Sequence, residues 1–131
     1  MRPRYAVLLL ALAPLASGCF GGQRLLEATV ERDGEPVLQA KYGISDQATP
    51  AAAWSQLAGR HFKAVGPVTP DAGDPNKATL KGKVRITLRH AGTHFASADA
   101  DQLRLVRVAG ADDEWEIPKE EVERTAKTAG F

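Results

Sequence analysis

His90 and His94 stand four residues apart in "LRHAGTHFA", the spacing at which two imidazoles on one helix can ligate zinc. Here the flanks alternate apolar and polar residues and Gly92 lies between, which places the pair around a hairpin tip. His61 is the third histidine, and no cysteine or carboxylate cluster stands beside them. The expectation is exposed turn histidines, with no metal and no other cofactor. Nucleophilic chemistry has as little to work with. Beyond the first nineteen residues the serines are Ser45, Ser55 and Ser97, and none sits in G-x-S-x-G; "GISDQ", 43–47, lacks the final glycine. Catalytic residues are therefore expected to be none, and a small hydrolase whose site assembles only in space is the least favoured function. Asp112, Asp113, Glu114 and Glu116 gather in "ADDEWE", and Asp71, Asp74 and Asn76 in a Pro/Gly-rich stretch. Calcium loops alternate oxygen ligands around a turn glycine, so both groups read as solvated turns.

Charge carries more. In "LKGKVRITLRH", Lys81, Lys83, Arg85 and Arg89 share one side with Thr87, opposite Leu80, Val84, Ile86 and Leu88. That is the period of a strand with one basic face. With Arg104 and Arg107 near it, such a face suits lipid phosphates, an anionic envelope polymer or an acidic partner protein. The competing reading is an ordinary solvated sheet face, with Glu27, Glu31 or Asp99 as cross-strand neighbours. Nucleic acid is not an expected partner, because the chain has no aromatic stacking row and no recognition helix.

Cys19 is the one cysteine, and what precedes it says where the chain goes. Arg2 and Arg4 form a positive head, Ala6 to Ala13 an apolar run of eight residues, and Ala16, Ser17 and Gly18 a small-residue approach to Cys19. That is the plan of a secretory signal. The run is too short to span a bilayer, which takes about 20 apolar residues. A lone cysteine cannot form an internal disulfide, and an exported free thiol invites oxidation. "L-A-S-G-C" resembles the lipobox of bacterial lipoproteins, with Ala16 where the family usually has leucine. The resemblance covers residues 1–19 and implies cleavage before Cys19 and a diacylglycerol on its sulfur. Each buried methylene contributes about 0.8 kcal/mol, and two chains make a lasting anchor. Phe20, rather than Asp, after the cysteine resembles the class sorted to the outer membrane. The implied location is that membrane's periplasmic face in a host with two membranes, and otherwise the outer face of the cytoplasmic membrane.

The implied division is a cleaved signal over 1–18, a lipidated Cys19 with a short tether over 19–23, and a single α+β domain over 24–131. The signal removes two of the 17 basic side chains, leaving 15 against 16 acidic ones in 113 residues. This is enough for one core without disulfides, and the balance argues against a dedicated polyanion binder.

The elements follow from periodicity. "LLEATVERDGEPVLQAKYG" is a hairpin turning at Asp33-Gly34. Pairing Val30 with Leu38, Ala28 with Ala40 and Leu26 with Tyr42 separates apolar from polar faces, which requires a three-residue or bulged turn. "TPAAAWSQLAG" is a helix capped by Thr49, with Pro50 first and Gly59 at its end. Residues 61–65 make a short strand and 66–76 a loop. The basic strand turns back at 91–93 into a strand broken at Asp99–Gln102. Residues 103–108 make another, and "EWEI" a last one. "PKEEVERTAKTAG" closes as a helix with Glu120–Arg124 and Glu123–Lys127 pairs and a thin stripe of Val122, Ala126 and Ala129. The sum is an α+β fold: an antiparallel sheet of five or six strands with a leading hairpin, one mid-chain helix and one C-terminal helix. "V-x-x-D-G-x-P-V", Val30 to Val37, is similar to strand openings of carboxypeptidase-regulatory-like β-sandwich domains. The helix followed by a meander ending in "W-x-I" resembles NTF2-like domains. The expected function is a lipid-anchored envelope protein acting as a structural or interaction module. The alternative is a binder of an anionic ligand through Lys81, Lys83, Arg85 and Arg89.

Overall fold

A computed structural model describes residues 22–131; Cys19 and the rest of the lipobox lie outside the described residues. β1 (Gln23–Arg32) and β2 (Glu35–Ser45) form the leading hairpin. Leu26 faces Tyr42, Ala28 faces Ala40 and Val30 faces Leu38, while Glu27–Lys41 and Thr29–Gln39 occupy the other side. The turn itself is two residues, Asp33 and Gly34, both left-handed at φ 53° and 85°, the conformation whose twist matches that of the strands. The extra residue is absorbed further in. The register shifts between Val30 and Glu31, and both Val37 and Leu38 are buried, as a bulge directs successive side chains to one face.

β1 has a second partner. Along its free edge it pairs with β5 (Asp74–His90), from Leu26 opposite His90 to Arg32 opposite Val84. β5 pairs with β6 (Thr93–Arg107), β6 with β7 (Glu114–Glu116), β7 with β3 (Phe62–Ala64), and β3 with β2. The ring β1-β2-β3-β7-β6-β5 therefore closes on itself as a six-stranded antiparallel barrel, with β4 (Pro70–Asp71) added along β5. The expected α+β class is corrected: the protein is mostly β, a closed barrel with one extra strand and two short helices. Inward-outward alternation is the same in a one-face sheet and in a barrel wall. The pairing that closes the ring joins segments far apart in the chain, where no local pattern reports it.

Two further expectations change. Residues 66–76 are not all loop, since β4 folds back through Gly73 (φ 84°) onto the start of β5. Asp99–Gln102 does not break its strand, because β6 runs through it. β5 bulges at Gly82 (φ 119°), where Lys81 faces Gln102 but Val84 faces Ala100. Across that point the inward residues of β6 change from Ala96 and Ala98 to Leu103 and Leu105. The polar stretch is the outside of a bend rather than a gap.

The barrel interior is filled by Leu26, Val30, Leu38, Phe62, Leu80, Ile86, Leu88, Leu103 and Trp115. Each large side chain contributes about 1.5–3 kcal/mol by leaving water. α1 (Pro50–Ser55) is capped by Thr49, whose Oγ1 accepts the Ala52 N–H at 3.1 Å. α1 buries Ala53 and Trp54, with Leu57 just beyond. α2 (Lys119–Thr128) packs on α1 and β6. Its contact side is more polar than the expected Val122–Ala126–Ala129 stripe, since Glu121, Val122 and Thr125 are buried. Trp54 Nε1 donates to Thr125 Oγ1 at 3.2 Å, and that hydroxyl lies 2.8 Å from the Glu121 carbonyl.

Candidate functional site

Lys81, Lys83, Arg85 and Arg89 all lie along the outside of β5. What faces them is set by the two pairings of that strand. Glu31, Arg85 and Asp99 form one row across β1, β5 and β6. Lys41, Glu27 and Arg89 form another across β2, β1 and β5. Arg85 grips Asp99 with two bonds, Nε to Oδ1 at 2.7 Å and Nη2 to Oδ2 at 3.2 Å. That hydrogen bonding holds the Asp99 carboxyl below its ordinary range and raises the guanidinium. Lys41 Nζ lies 3.8 Å from Glu27. Arg89 Nη2 donates to the Gly92 carbonyl of its own turn. The ammonium groups of Lys81 and Lys83 make no hydrogen bond or ion pair among the described residues. The row is thus a ladder of alternating charge around Arg85 and Arg89, with two lysines at one end.

Arg104 and Arg107 do not extend it. Arg107 lies over the Trp115 ring, 4.5 Å from its centroid, and donates to the carbonyls of Pro75 and Asp112. Arg104 reaches the carboxylate of Glu121 at 3.5 Å.

A cleft of about 580 Å³ opens beside the row. Lys83, Arg85 and Arg124 line it together with Glu31, Asp99 and Asp101. Arg124 is the member that sequence reasoning missed, because its spacing pairs it with Glu120. It bonds Glu121 instead, Nη2 to Oε1 at 2.9 Å and Nε to Oε2 at 3.0 Å, and also the Gln102 carbonyl at 2.8 Å. Glu121 is 3% exposed at its side chain, and its Oε1 also accepts the Arg104 N–H at 2.8 Å. The bonds from Arg124, then that from Arg104, hold the Glu121 carboxyl below its ordinary range although burial pushes the other way. This cluster fastens α2 to β6 and sets the far wall of the cleft. Its only sequence signal was an acid three residues before an arginine, which helix surfaces present constantly.

The histidines do not converge. His90 faces inward, its ring 4.9 Å from Phe95 and its Nε2 buried without a partner. His94 is exposed opposite Arg89, and His61 Nδ1 lies 3.6 Å from Glu114. Among the described residues no three His, Cys, Asp or Glu side chains meet. Among the described residues the Tyr42 hydroxyl is likewise buried without a partner. Burial pushes that phenol up to about 12, against the pull of Arg60, whose guanidinium stands 4.0 Å over the ring. Leu26 separates Tyr42 from His90 in the strand rows. Of the acids expected in solvated turns, Asp113 lies 3.9 Å from Lys63, and Asp74 lies 4.0 Å from Lys77 and accepts the Asn76 N–H.

Compared with protein-family models, curated proteins and solved structures, the chain shows no match.

Proposed function

We propose that this chain is a lipid-anchored envelope protein whose closed β-barrel serves as a non-catalytic interaction module at a membrane surface. The observation that carries the reading is an order of segments. A charged head, a short apolar run and small residues lead to Cys19, and the first barrel strand begins at Gln23. Lipidation at Cys19 would hold a folded module within a few residues of the bilayer. Interaction rather than catalysis is supported by how the polar groups are used. Glu121, Arg124 and Thr125 fasten helix to barrel, and Arg85 and Asp99 neutralise each other. In a host with two membranes the place we assign is the periplasmic face of the outer membrane; in a host with one it is the outer face of that membrane. The test is fractionation of producing cells. Wild type should stay with membranes after an alkaline wash, and Cys19→Ala should not be processed; an unlipidated wild type in the soluble fraction would sink the reading.

A second reading is favoured by Lys81 and Lys83. Their ammonium groups make no ion pair among the described residues, and Lys83 borders the cleft. On that reading the barrel binds an anionic ligand or partner there. Lys81→Glu together with Lys83→Glu should then abolish a salt-sensitive association while the membrane anchor persists.

A further inference from the structure

The barrel has two ends, and only one is close to Cys19. The Gly22 carbonyl accepts the Asp46 N–H at 3.0 Å, and the Ala91 N–H donates to the Leu25 carbonyl at 2.9 Å. The start of β1, the end of β2 and the β5–β6 turn therefore form one rim. Arg24, Leu25, Asp46, Arg89 and the Ala91-Gly92 turn belong to it. At the other end of the same strands lie the Asp33-Gly34 turn and Lys83. Ten residues of β1 at roughly 3.3 Å each put these ends about 30 Å apart along the strand.

We infer that the rim carrying Arg24, Leu25 and the Ala91-Gly92 turn rests on a bilayer surface of anionic phospholipid headgroups, with the Asp33-Gly34 turn pointing away. The inference rests on the lipid anchor at Cys19. Three peptide links separate Cys19 from Gly22, so their Cα atoms lie within about 11 Å however those links are arranged. That reach is comparable to one headgroup layer, roughly 5–8 Å deep, so the rim meets headgroups before any other part of the barrel can. Its chemistry fits the contact. Leu25 is 49% exposed, the joint most exposed of the large apolar side chains among the described residues, and an apolar side chain beside an anchor gains by entering the interface. Arg24, Lys41 and Arg89 outnumber Glu27 and Asp46 there, and each cation near an anionic leaflet adds to the attraction. One consequence divides the basic row. Arg89 lies at the lipid end and Lys83 at the free end, about 20 Å along the strand, so Lys81, Lys83 and the cleft face away from the membrane.

The experiment uses the full lipidated chain in vesicles of phosphatidylcholine, with and without phosphatidylglycerol, containing some lipid with a nitroxide on its headgroup. Cys19 is capped by lipid, so Ala91→Cys and Glu35→Cys each take a single fluorophore. The expected result is strong quenching at position 91 and little at position 35, increased by phosphatidylglycerol. Arg24→Gln should lower the ratio of docked to undocked barrel by about fivefold, and Leu25→Ser should lower it too, both with unchanged circular dichroism. Equal quenching at the two positions of a firmly bound, acylated protein would overturn the orientation alone. Quenching at 91 that ignores both phosphatidylglycerol and Arg24→Gln would overturn the anionic contact. A protein that takes dye on Cys19 and washes off the vesicles would sink the anchor, and this inference with it.

Discussion

Asp33 and Lys83 are joined twice across fifty residues of chain: the Lys83 N–H donates to Asp33 Oδ1 at 3.0 Å, and the Asp33 N–H donates to the Lys83 carbonyl at 2.8 Å. The tip of the leading hairpin is thereby stitched to the bulge of β5, just past the last β1–β5 pair, Arg32 with Val84. Local turn chemistry and long-range closure meet at this one joint. Gly82 makes it possible, since its φ of 119° suits glycine and a Cβ there would stand 3.0 Å from Asp33 Oδ1.

Gly82→Ala should therefore lower stability by about 1–3 kcal/mol through backbone strain. Asp33→Ala should cost about 1 kcal/mol through the lost cap. The two should not add, because removing the carboxylate relieves part of the crowding that a methyl group at position 82 would meet. Urea denaturation of both single variants and the double variant checks this. Full additivity would mean that the hairpin tip and the bulge do not act as one joint.

Glu121 makes stability depend on acidity. Its folded carboxyl titrates below the ordinary glutamate range, chiefly because Arg124 bonds the charged form. A lowered value means that the stabilisation is present above the ordinary range and is lost as pH falls through the folded one. Glu121→Gln should lose about 1–3 kcal/mol at neutral pH and show a shallower decline in acid. Melting temperature measured as a function of pH for both proteins checks it; parallel curves would contradict the assignment.

Tyr42 works in the alkaline range with the opposite sign. Its phenol is pushed up to about 12 by burial, so the folded state favours the neutral form. That contribution is present below the ordinary value near 10 and fades as pH rises towards 12. The chain has two tyrosines, Tyr5 and Tyr42; in a form lacking residues 1–18, absorbance near 295 nm reports Tyr42 alone. The expected midpoint is near 12 for the folded protein and near 10 in denaturant. A single midpoint near 10 in both would mean that the ring is not buried.

The leading hairpin was legible down to its register because Leu26, Ala28, Val30, Leu38 and Ala40 can all be buried in only one pairing. The cap at Thr49 and the short strand around Phe62 were legible for similarly local reasons. Closure was not. β3 and β7 contribute only Phe62–Ala64 and Glu114–Glu116, too short to announce that they bridge β2 to β6. Asp99–Gln102 misled because acids and an amide in a row look like a turn, whereas in the barrel they line the outside of a bend opposite the Gly82 bulge. The basic row was visible, and so were Glu27, Glu31 and Asp99 as its cross-strand neighbours; which arginine each would face was not. Arg85 meets Glu31 and Asp99 only through β5's pairings with β1 and β6, and the pairing with β1 is the one that closes the ring. Arg124 reached the cleft through a buried acid that a helical wheel would place on a solvent face.

The measurement that decides the account is the intact mass of the protein extracted from membranes of a cell that makes it, beside a Cys19→Ala variant. The expected result is a mass equal to residues 19–131 plus acyl chains for the wild type, with the variant retaining residues 1–18. A mature wild type without acyl chains would contradict the anchor. Cys19 would then be a free exported thiol beside the barrel, and the membrane-facing rim would lose its basis.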